Sequence, residues 1–263
     1  MYEIIMSSRT GLPFRIRAPL NRLKKQYETR DTDILSLSLS SKIYKYLKPT
    51  PLQKARCMSN NKNVFLKRED LNPTFSFYVR CAINQLINEE TQKTVVTSSV
   101  GSRGYCLAYA SSLFDKTCMV FMQENVPCER IEMVKNMGAK VLKVGKNTNE
   151  CTSIMKEYSM KNNVSILGTH DNKNVLAGCG TISLELFKEN LSIDAIFVPV
   201  GGGSLVSAIC YNIKTMFPNI KIYGVEYKDQ STLYDSLMSG YLVEKDDPGV
   251  YGLSVSKISK TVF

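Results

Sequence analysis

The stretch Ala195-Ile-Phe-Val-Pro-Val-Gly-Gly-Gly-Ser-Leu205 says most about the fold. It predicts a buried strand, 195–200, that ends in three glycines where a helix begins. Glycines let backbone amides turn toward one point, and the start of a helix adds positive potential, so such a loop is shaped to hold a phosphate. A tight strand-to-helix turn without a ligand is the alternative. Three consecutive glycines, Gly201, Gly202 and Gly203, exceed what a plain turn requires and favour an anion site that includes Ser204.

On both sides of this loop, short β-branched runs alternate with longer amphipathic ones. This pattern is typical of a parallel sheet with crossover helices. The predicted strands are 64–66, 94–97, 117–122, 140–144, 164–167, 195–200 and 221–226. The predicted helices are 75–87, 104–114, 127–137, 149–161, 175–190 and 205–217. The sequence therefore predicts an α/β fold.

Composition excludes several classes of protein. The chain has 263 residues, 43% of them hydrophobic and 22% charged, as in a folded globular protein. No apolar run approaches the roughly 18 residues that a membrane span needs. The formal charge of +10 is spread among asparagines and acids without a basic helix, which argues against a nucleic-acid partner. Eight cysteines show no metal-ligand spacing, and His170 is the single histidine, so we expect reduced, buried thiols in a reducing compartment and no metal.

The N-terminus has a different composition from the rest. The first 27 residues contain one acid, Glu3, against six arginines and lysines. Both a transit peptide and a loose basic arm fit this composition, and the sequence leaves the two open.

A second stretch, Lys67-Arg-Glu-Asp-Leu-Asn-Pro-Thr-Phe-Ser-Phe-Tyr-Val-Arg-Cys-Ala82, resembles the segment K-R-E-D-L-x-P-x-F-S-F-K-x-R-G-A of biosynthetic threonine dehydratases. Four later motifs follow in the family's order. Residues 98–102 resemble S-S-A-G-N, 177–181 resemble A-G-Q-G-T, 201–205 resemble G-G-G-G-L, and 224–226 match G-V-E. The resemblance covers about residues 31–257.

This resemblance implies a two-domain parallel-sheet fold of the fold-type II, tryptophan synthase β-like kind, built around pyridoxal phosphate. The predicted parts are a basic N-terminal extension (1–30), a large domain that binds the cofactor phosphate (31–95 and 183–263) and a small α/β domain (96–182). The family's final segment beyond Phe263 is missing, so we expect the large domain to be incomplete. The family reaction converts L-threonine to 2-oxobutanoate and ammonia in isoleucine biosynthesis.

The family's lysine, which holds the cofactor as a Schiff base and removes the substrate proton, aligns with Tyr78. A phenol forms no imine and, because it ordinarily titrates at about pH 10, is a poor base at neutral pH. The family's cofactor-site asparagine is Ser102, and its following histidine and glutamine are Arg103 and Tyr105. Cys81 and Ser204 replace glycines. No catalytic residue is intact, and the predicted contacts to a cofactor are Phe77, Ser102 and the glycine loop.

Two lysines near Tyr78 in sequence, Lys67 and Lys93, do not lie at the helix start that the imine chemistry needs. Glu69 and Asp70 are expected to be solvated, or paired with basic neighbours such as Arg68 or Arg80, rather than to act as catalytic acids.

Three interpretations remain. In the first, the chain is a pseudoenzyme that binds a partner protein or a small molecule, either one with a phosphate or an amino acid. In the second, it is a pyridoxal-phosphate-dependent threonine/serine ammonia-lyase that works with a complete homologous subunit. In the third, it is a decaying duplicate. An incomplete large sheet predicts a homo- or hetero-oligomer. The resemblance predicts a plastid or mitochondrion if the source is eukaryotic, and the cytoplasm otherwise.

Overall fold

The computed structural model describes residues 4–8, 33–58, 63–168, 170–189, 192–245 and 257–259. For residues 4–8 and Cys57 it describes the backbone alone. These residues form two sheets, one of five strands and one of four, with helices packed on and between them. None of the helices in these ranges is both long and apolar enough to cross a bilayer.

The four-stranded sheet is parallel throughout, as predicted. Its strands are β4 (Thr94–Ser98), β5 (Thr117–Met122), β6 (Lys140–Lys143) and β7 (Ser165–Ile166). Three helices connect them: α3 (Ser102–Leu113), α4 (Cys128–Asn136) and α5 (Thr148–Asn162). The spatial order is β6-β5-β4-β7, so the chain winds outward from β4 and then returns to its other side. Ligands of open parallel sheets bind where the strand order reverses, at the carboxyl ends of the strands, which here means the ends of β4 and β7.

The five-stranded sheet is mixed, which the parallel prediction did not foresee. Its order is β2 (Leu52–Lys54), β3 (Asn63–Lys67), β1 (Ile4–Ser8), β8 (Ala195–Pro199) and β9 (Lys221–Val225). Only β8 and β9 are parallel, and helix α7 (Ser204–Met216) connects them. β1 is antiparallel to both of its neighbours, and β2 is antiparallel to β3. The link from β2 to β3 is too short for the crossover that a parallel pair requires.

The predicted basic extension, residues 1–30, thus supplies one strand of this sheet, Ile4–Ser8. The rest of the extension, with all of its arginines and lysines, lies outside the described residues. Whether it is a transit peptide or an arm stays a prediction.

Helix α2 (Tyr78–Asn88) lies between two apolar cores. Val79, Ile83 and other α2 residues pack into the core of the four-stranded sheet, whereas Cys81 packs into the core of the five-stranded sheet. Tyr78 contacts both cores. Helix α6 (Lys173–Lys188) packs against α2, against α7 and against α1 (Ile34–Ser40). Helix α2 thus contributes side chains to both cores. The predicted domain boundaries at 95 and 182 stay a prediction.

Helix α2 begins three residues after the predicted start at residue 75. Phe75 has a φ of 54°, in the left-handed region, and its side chain is 71% exposed. The backbone therefore turns at Phe75, and the helix starts after it with Tyr78 as its first residue. Gly138, two residues after the end of α4, has a φ of 85°, the left-handed conformation with which a glycine commonly ends a helix.

Candidate functional site

Three segments converge on one small cavity at the point where the strand order of the four-stranded sheet reverses. Tyr78 comes from the start of α2, Arg103 from the first turn of α3 after β4, and Gly168 and His170 from the loop after β7. The cavity has a volume of about 20 Å³. This is room for about one water molecule. Cys81 and three apolar side chains complete the wall.

Tyr78, the residue that aligns with the family's lysine, lies at the wall of this cavity. Its ring stacks on Phe77 with centroids 4.3 Å apart and an interplanar angle of 28°. Its backbone N–H donates to the Ser76 hydroxyl at 3.3 Å. Phe77 is buried, so the stack fixes the phenol ring at the cavity wall.

Arg103 bridges the end of β4 and the loop after its neighbour, the edge strand β7. Its guanidinium donates to the carbonyls of Ser98 and Gly168, both at 3.0 Å, and to Nε2 of His170 at 3.0 Å. Its buried Nε has no hydrogen-bond partner, and within the described ranges no carboxylate pairs with it. Burial lowers the pKa of Arg103 from its usual value. The cavity is therefore lined by a cation without a countercharge.

His170 links Arg103 to the glycine loop, and its tautomer follows from its neighbours. An arginine can only donate, so Nε2 of His170 accepts and Nδ1 carries the proton. Nδ1 then donates to the Ser204 hydroxyl at 3.0 Å, and that hydroxyl donates to the His170 carbonyl at 3.1 Å. Burial, together with the charge of Arg103, lowers the pKa of His170 to about 3. The imidazole is neutral across the physiological range.

The glycine loop, residues 201–204, which was predicted to bind an anion, is in contact with His170. It joins β8 to α7, and Gly203 has a φ of 94°, a backbone region that only glycine adopts without strain. A side chain at Gly202 would clash with the imidazole of His170. The Ser259 N–H donates to the Gly202 carbonyl at 3.1 Å. The loop has the predicted strand-to-helix geometry, but His170 and Ser259 lie against it.

The predicted cofactor contacts come together only in part. Phe77 stacks on Tyr78 at the cavity wall, and Ser204 is hydrogen-bonded to His170. Ser102, at the start of α3, is exposed, and the next residue, Arg103, lines the cavity instead. Pyridoxal phosphate needs an amine to hold it and space for a substituted ring. Tyr78 offers no amine, and Arg103 and His170 leave space for about one water molecule. The side chains present do not fit the cofactor.

Neither lysine considered as a replacement lies at this cavity. Lys67 is buried, and its Nζ binds Glu185 and the Thr50 carbonyl, both at 2.5 Å. Lys93 is exposed and pairs with Asp115. Burial lowers the pKa of Lys67, although the carboxylate of Glu185 opposes the shift.

Lys67 belongs to a buried ionic network that joins β3, α2 and α6. Arg80 is fully buried and donates to Glu69 at 2.7 and 2.8 Å and to Glu185 at 2.5 and 3.0 Å. Thr50 and Tyr44 donate to the same carboxylates. Two cations face two anions, so the network is neutral. Glu69 pairs with Arg80 inside this network, and Asp70 pairs with Arg68 outside it, so both carboxylates have the basic partners that the sequence suggested.

Burial alone raises the pKa of Glu185, but Arg80 and Lys67 outweigh it and hold the pKa below its usual value. The network is a structural element and not a catalytic one, because each charged group in it already has a partner. Within the described residues, no cluster of histidine, cysteine and carboxylate side chains is arranged to hold a metal ion.

Two features of the site are not evident in the sequence. The sequence shows His170 only as a single histidine among scattered cysteines, and nothing in it indicates that this side chain reaches the glycine loop across 34 residues. The sequence predicts buried, reduced thiols, and nothing in it indicates that Cys81 and Cys179 lie side by side.

Comparison with known proteins identifies the family of this chain. A family model described as pyridoxal-phosphate dependent enzyme matches residues 43–260. A biosynthetic L-threonine dehydratase of Pasteurella multocida is 34% identical over 251 residues, covering 93% of this chain and 49% of the relative. A serine racemase of Dictyostelium discoideum is 35% identical over 213 residues, covering 79% of this chain and 65% of the relative. The chain spans about half the length, or less, of the two biosynthetic threonine dehydratases from Pasteurella multocida and Solanum lycopersicum that it matches.

Solved structures agree. The processed form of threonine deaminase isoform 2 from Solanum lycopersicum superposes with a TM-score of 0.81 at 27% identity, covering 99% of this chain and 74% of that one. The serine racemase structure from Dictyostelium discoideum superposes with a TM-score of 0.79 at 30% identity, covering 88% of this chain and 77% of that one. The chain belongs to the pyridoxal-phosphate dependent enzyme family, as a threonine dehydratase-like member of fold type II.

Proposed function

We propose that this protein is a pseudoenzyme: it keeps the threonine dehydratase-like fold but does not convert threonine, and it acts by binding. The single observation that carries the proposal is Tyr78, the first residue of α2, at the wall of the cavity where the family reaction needs a lysine. A phenol cannot form the imine on which that reaction depends.

The surroundings of Tyr78 support the same conclusion. Hydrogen bonds of Arg103 and His170 connect the ends of β4 and β7 to the glycine loop along the cavity wall. A neutral histidine hydrogen-bonded on both ring nitrogens, to Arg103 and to Ser204, has no free position from which to accept a substrate proton. Turnover would require this chain of contacts to be rebuilt as well as the lysine restored.

The ligand most compatible with the site is a small anion, such as a molecule with a phosphate or the carboxylate of an amino acid. Arg103 supplies a positive charge that no carboxylate in the described part of the chain pairs with, and the glycine loop supplies the start of α7. Entry requires His170 to leave the loop, because the cavity as it stands holds about one water molecule.

A second candidate is a working ammonia-lyase formed with a complete homologous subunit. It is favoured by exposed apolar side chains on the edge strand β9, on the turn after it and on helix α8 (Thr232–Ser239). We call this set the C-terminal apolar surface; it comprises Tyr223, Val225, Tyr227, Tyr234, Leu237, Met238 and Tyr241. An apolar edge of this kind is a place where another subunit can pack.

An organellar location is a further part of the proposal. Relatives include threonine dehydratases named as chloroplastic and mitochondrial. Fusion of residues 1–30 to a fluorescent protein tests this: import into plastids or mitochondria is expected, and a diffuse cytosolic signal would favour the cytoplasm.

One assay separates the two candidates. The purified chain is supplied with pyridoxal phosphate and L-threonine, alone and mixed with a complete threonine dehydratase, and 2-oxobutanoate is measured. The pseudoenzyme proposal predicts no product from the chain alone and no gain over the homologue by itself. Product from the chain alone would refute it, and a gain in the mixture would establish the second candidate.

A further inference from the structure

Two cysteines face each other between helices α2 and α6. The Sγ atoms of Cys81 and Cys179 are 2.8 Å apart. Both side chains are buried, at 3% and 0% exposure. The family motifs quoted above have glycine and glutamine at these two positions, so both thiols are departures from the family pattern, and the fold brings them together from 98 residues apart.

The two helices are in close backbone contact beside these cysteines. A Cβ atom added to Gly178 would lie 2.6 Å from the Arg80 carbonyl oxygen and 2.9 Å from Cα of Cys81. Such a distance leaves no space for a side chain, so α6 touches α2 at its backbone here. Bonded sulfur atoms lie about 2.05 Å apart, so the two Sγ atoms need to approach by less than roughly 1 Å.

The pair also has a route to a small reagent. Cys81 lines the cavity beside Tyr78 and Arg103. The cavity volume of about 20 Å³ admits a molecule near the size of water and excludes a peptide disulfide. A small peroxide is the oxidant whose size suits this cavity.

We propose that Cys81 and Cys179 form a dithiol site that a peroxide oxidises to a disulfide. The Cys81 sulfur attacks one peroxide oxygen, the O–O bond breaks, and a sulfenic acid and one water form. The Cys179 sulfur then attacks the sulfenic sulfur and displaces a second water. In total two thiols and one hydrogen peroxide give one disulfide and two water molecules, with the two sulfur atoms oxidised and the two peroxide oxygens reduced.

The environment makes this reaction slow at neutral pH. Burial raises the pKa of Cys81, and the adjacent Cys179 sulfur adds to the shift. Since the thiolate is the nucleophile, oxidation is expected to accelerate as the pH is raised. The product would tie α2 to α6 and close a loop of about a hundred residues in the unfolded chain.

The test uses the full chain in its native buffer. It is treated with hydrogen peroxide, quenched, unfolded and alkylated, and a non-reducing digest is analysed by mass spectrometry. We expect a peptide containing Cys81 linked to a peptide containing Cys179, with loss of two hydrogens, and six alkylated thiols in place of the eight in the sequence. The thermal midpoint of the oxidised chain is expected to rise by about 5 °C or more and to return on reduction.

Matched variants decide the assignment. Cys81→Ala and Cys179→Ala should each abolish the linked peptide and the rise in midpoint, whereas Cys118→Ala, which removes a buried thiol in β5, should keep both. Eight alkylated thiols after peroxide treatment of the unmutated chain, or linked peptides that join other cysteines equally, would overturn the proposal. The unmutated chain alone gives this answer if a variant does not fold. The outcome is independent of whether the chain converts threonine.

Discussion

His170 is the residue that keeps the site closed. It is the only histidine in the sequence, and it closes the space between Arg103 and Ser204. Because it accepts from Arg103, a second proton would place two donors face to face. The structure thus explains its low pKa by geometry as well as by burial.

This geometry predicts a pH dependence of stability. The folded pKa of His170 is about 3, below the unfolded value near 6.5, so the unfolded chain binds the extra proton and stability falls as the pH drops below about 6.5. Asp171 lies beside the ring and partly opposes the shift. The loss is at most about 1.4 kcal/mol per pH unit. Carboxylates contribute below about pH 4.5, so urea unfolding between about pH 5 and 6.5 isolates the histidine. His170→Gln should flatten this slope; an unchanged slope would contradict the assignment.

The buried network gives a second prediction at this scale. Glu185→Gln removes one of two carboxylates and leaves Arg80 and Lys67 with a surplus buried charge. We expect the free energy of unfolding to fall by about 3–5 kcal/mol. Glu132→Gln removes an exposed ion pair with Lys135 and should change it by less than about 0.5 kcal/mol. Denaturant titration measures both, and equal effects would show that the network contributes no more than a surface pair.

At the scale of elements, the contact between α2 and α6 sets the position of Tyr78. A methyl group at Gly178 would meet backbone atoms of Arg80 and Cys81, which cannot move aside. A methyl group at Gly180 would meet the side-chain ends of Ser38 and Asn212, which can rotate. We therefore expect Gly178→Ala to destabilise the fold by about 1–3 kcal/mol and Gly180→Ala by less. Thermal unfolding of the two variants checks the order, and the reverse order would show that α2 and α6 can separate freely.

Most elements were predictable from the sequence because their pattern was local. The strands of the parallel sheet and helices α3 to α7 were predicted to within two or three residues, since β-branched runs and amphipathic runs alternate there. Strand β1 was missed because the basic composition of the first 27 residues led to their interpretation as an extension, and five apolar and serine residues within it were not considered as a strand. Helix α1 was missed because its sequence ILSLSLS alternates with a strand-like period of two, yet the side chain of Asp33 caps it and α6 and α7 cover it.

In the whole molecule, the site combines two residues that linear motifs indicated with one that only the fold revealed. Tyr78 and Arg103 each lie in or next to a family motif, whereas nothing in the sequence indicated His170. Arg103 and His170 lie 67 residues apart in sequence, and only the reversal of strand order between β4 and β7 brings their side chains together. The same holds for Cys81 and Cys179 across α2 and α6.

The C-terminal apolar surface predicts self-association. Helix α8 exposes Tyr234 by 60%, Leu237 by 59% and Met238 by 70%, next to the edge strand β9. We expect sedimentation at a mass above the 29.6 kDa of one chain. The double substitution Leu237→Lys and Met238→Lys should shift the protein toward the monomer, whereas Met160→Lys, an exposed apolar residue on α5, should not. A monodisperse monomer of the unmutated chain would contradict the prediction.

Threonine turnover by Tyr78→Lys in the presence of pyridoxal phosphate shows whether the whole site, and not Tyr78 alone, differs from that of an active enzyme. If the loss of activity is spread over Tyr78, Arg103 and His170, restoring the amine alone leaves the cleft filled. The variant should then show neither the visible absorbance of an imine nor any 2-oxobutanoate. Turnover by this single variant would contradict the account, because it would mean that the rest of the pocket still admits the cofactor and that Tyr78 is the only change separating this protein from an active enzyme.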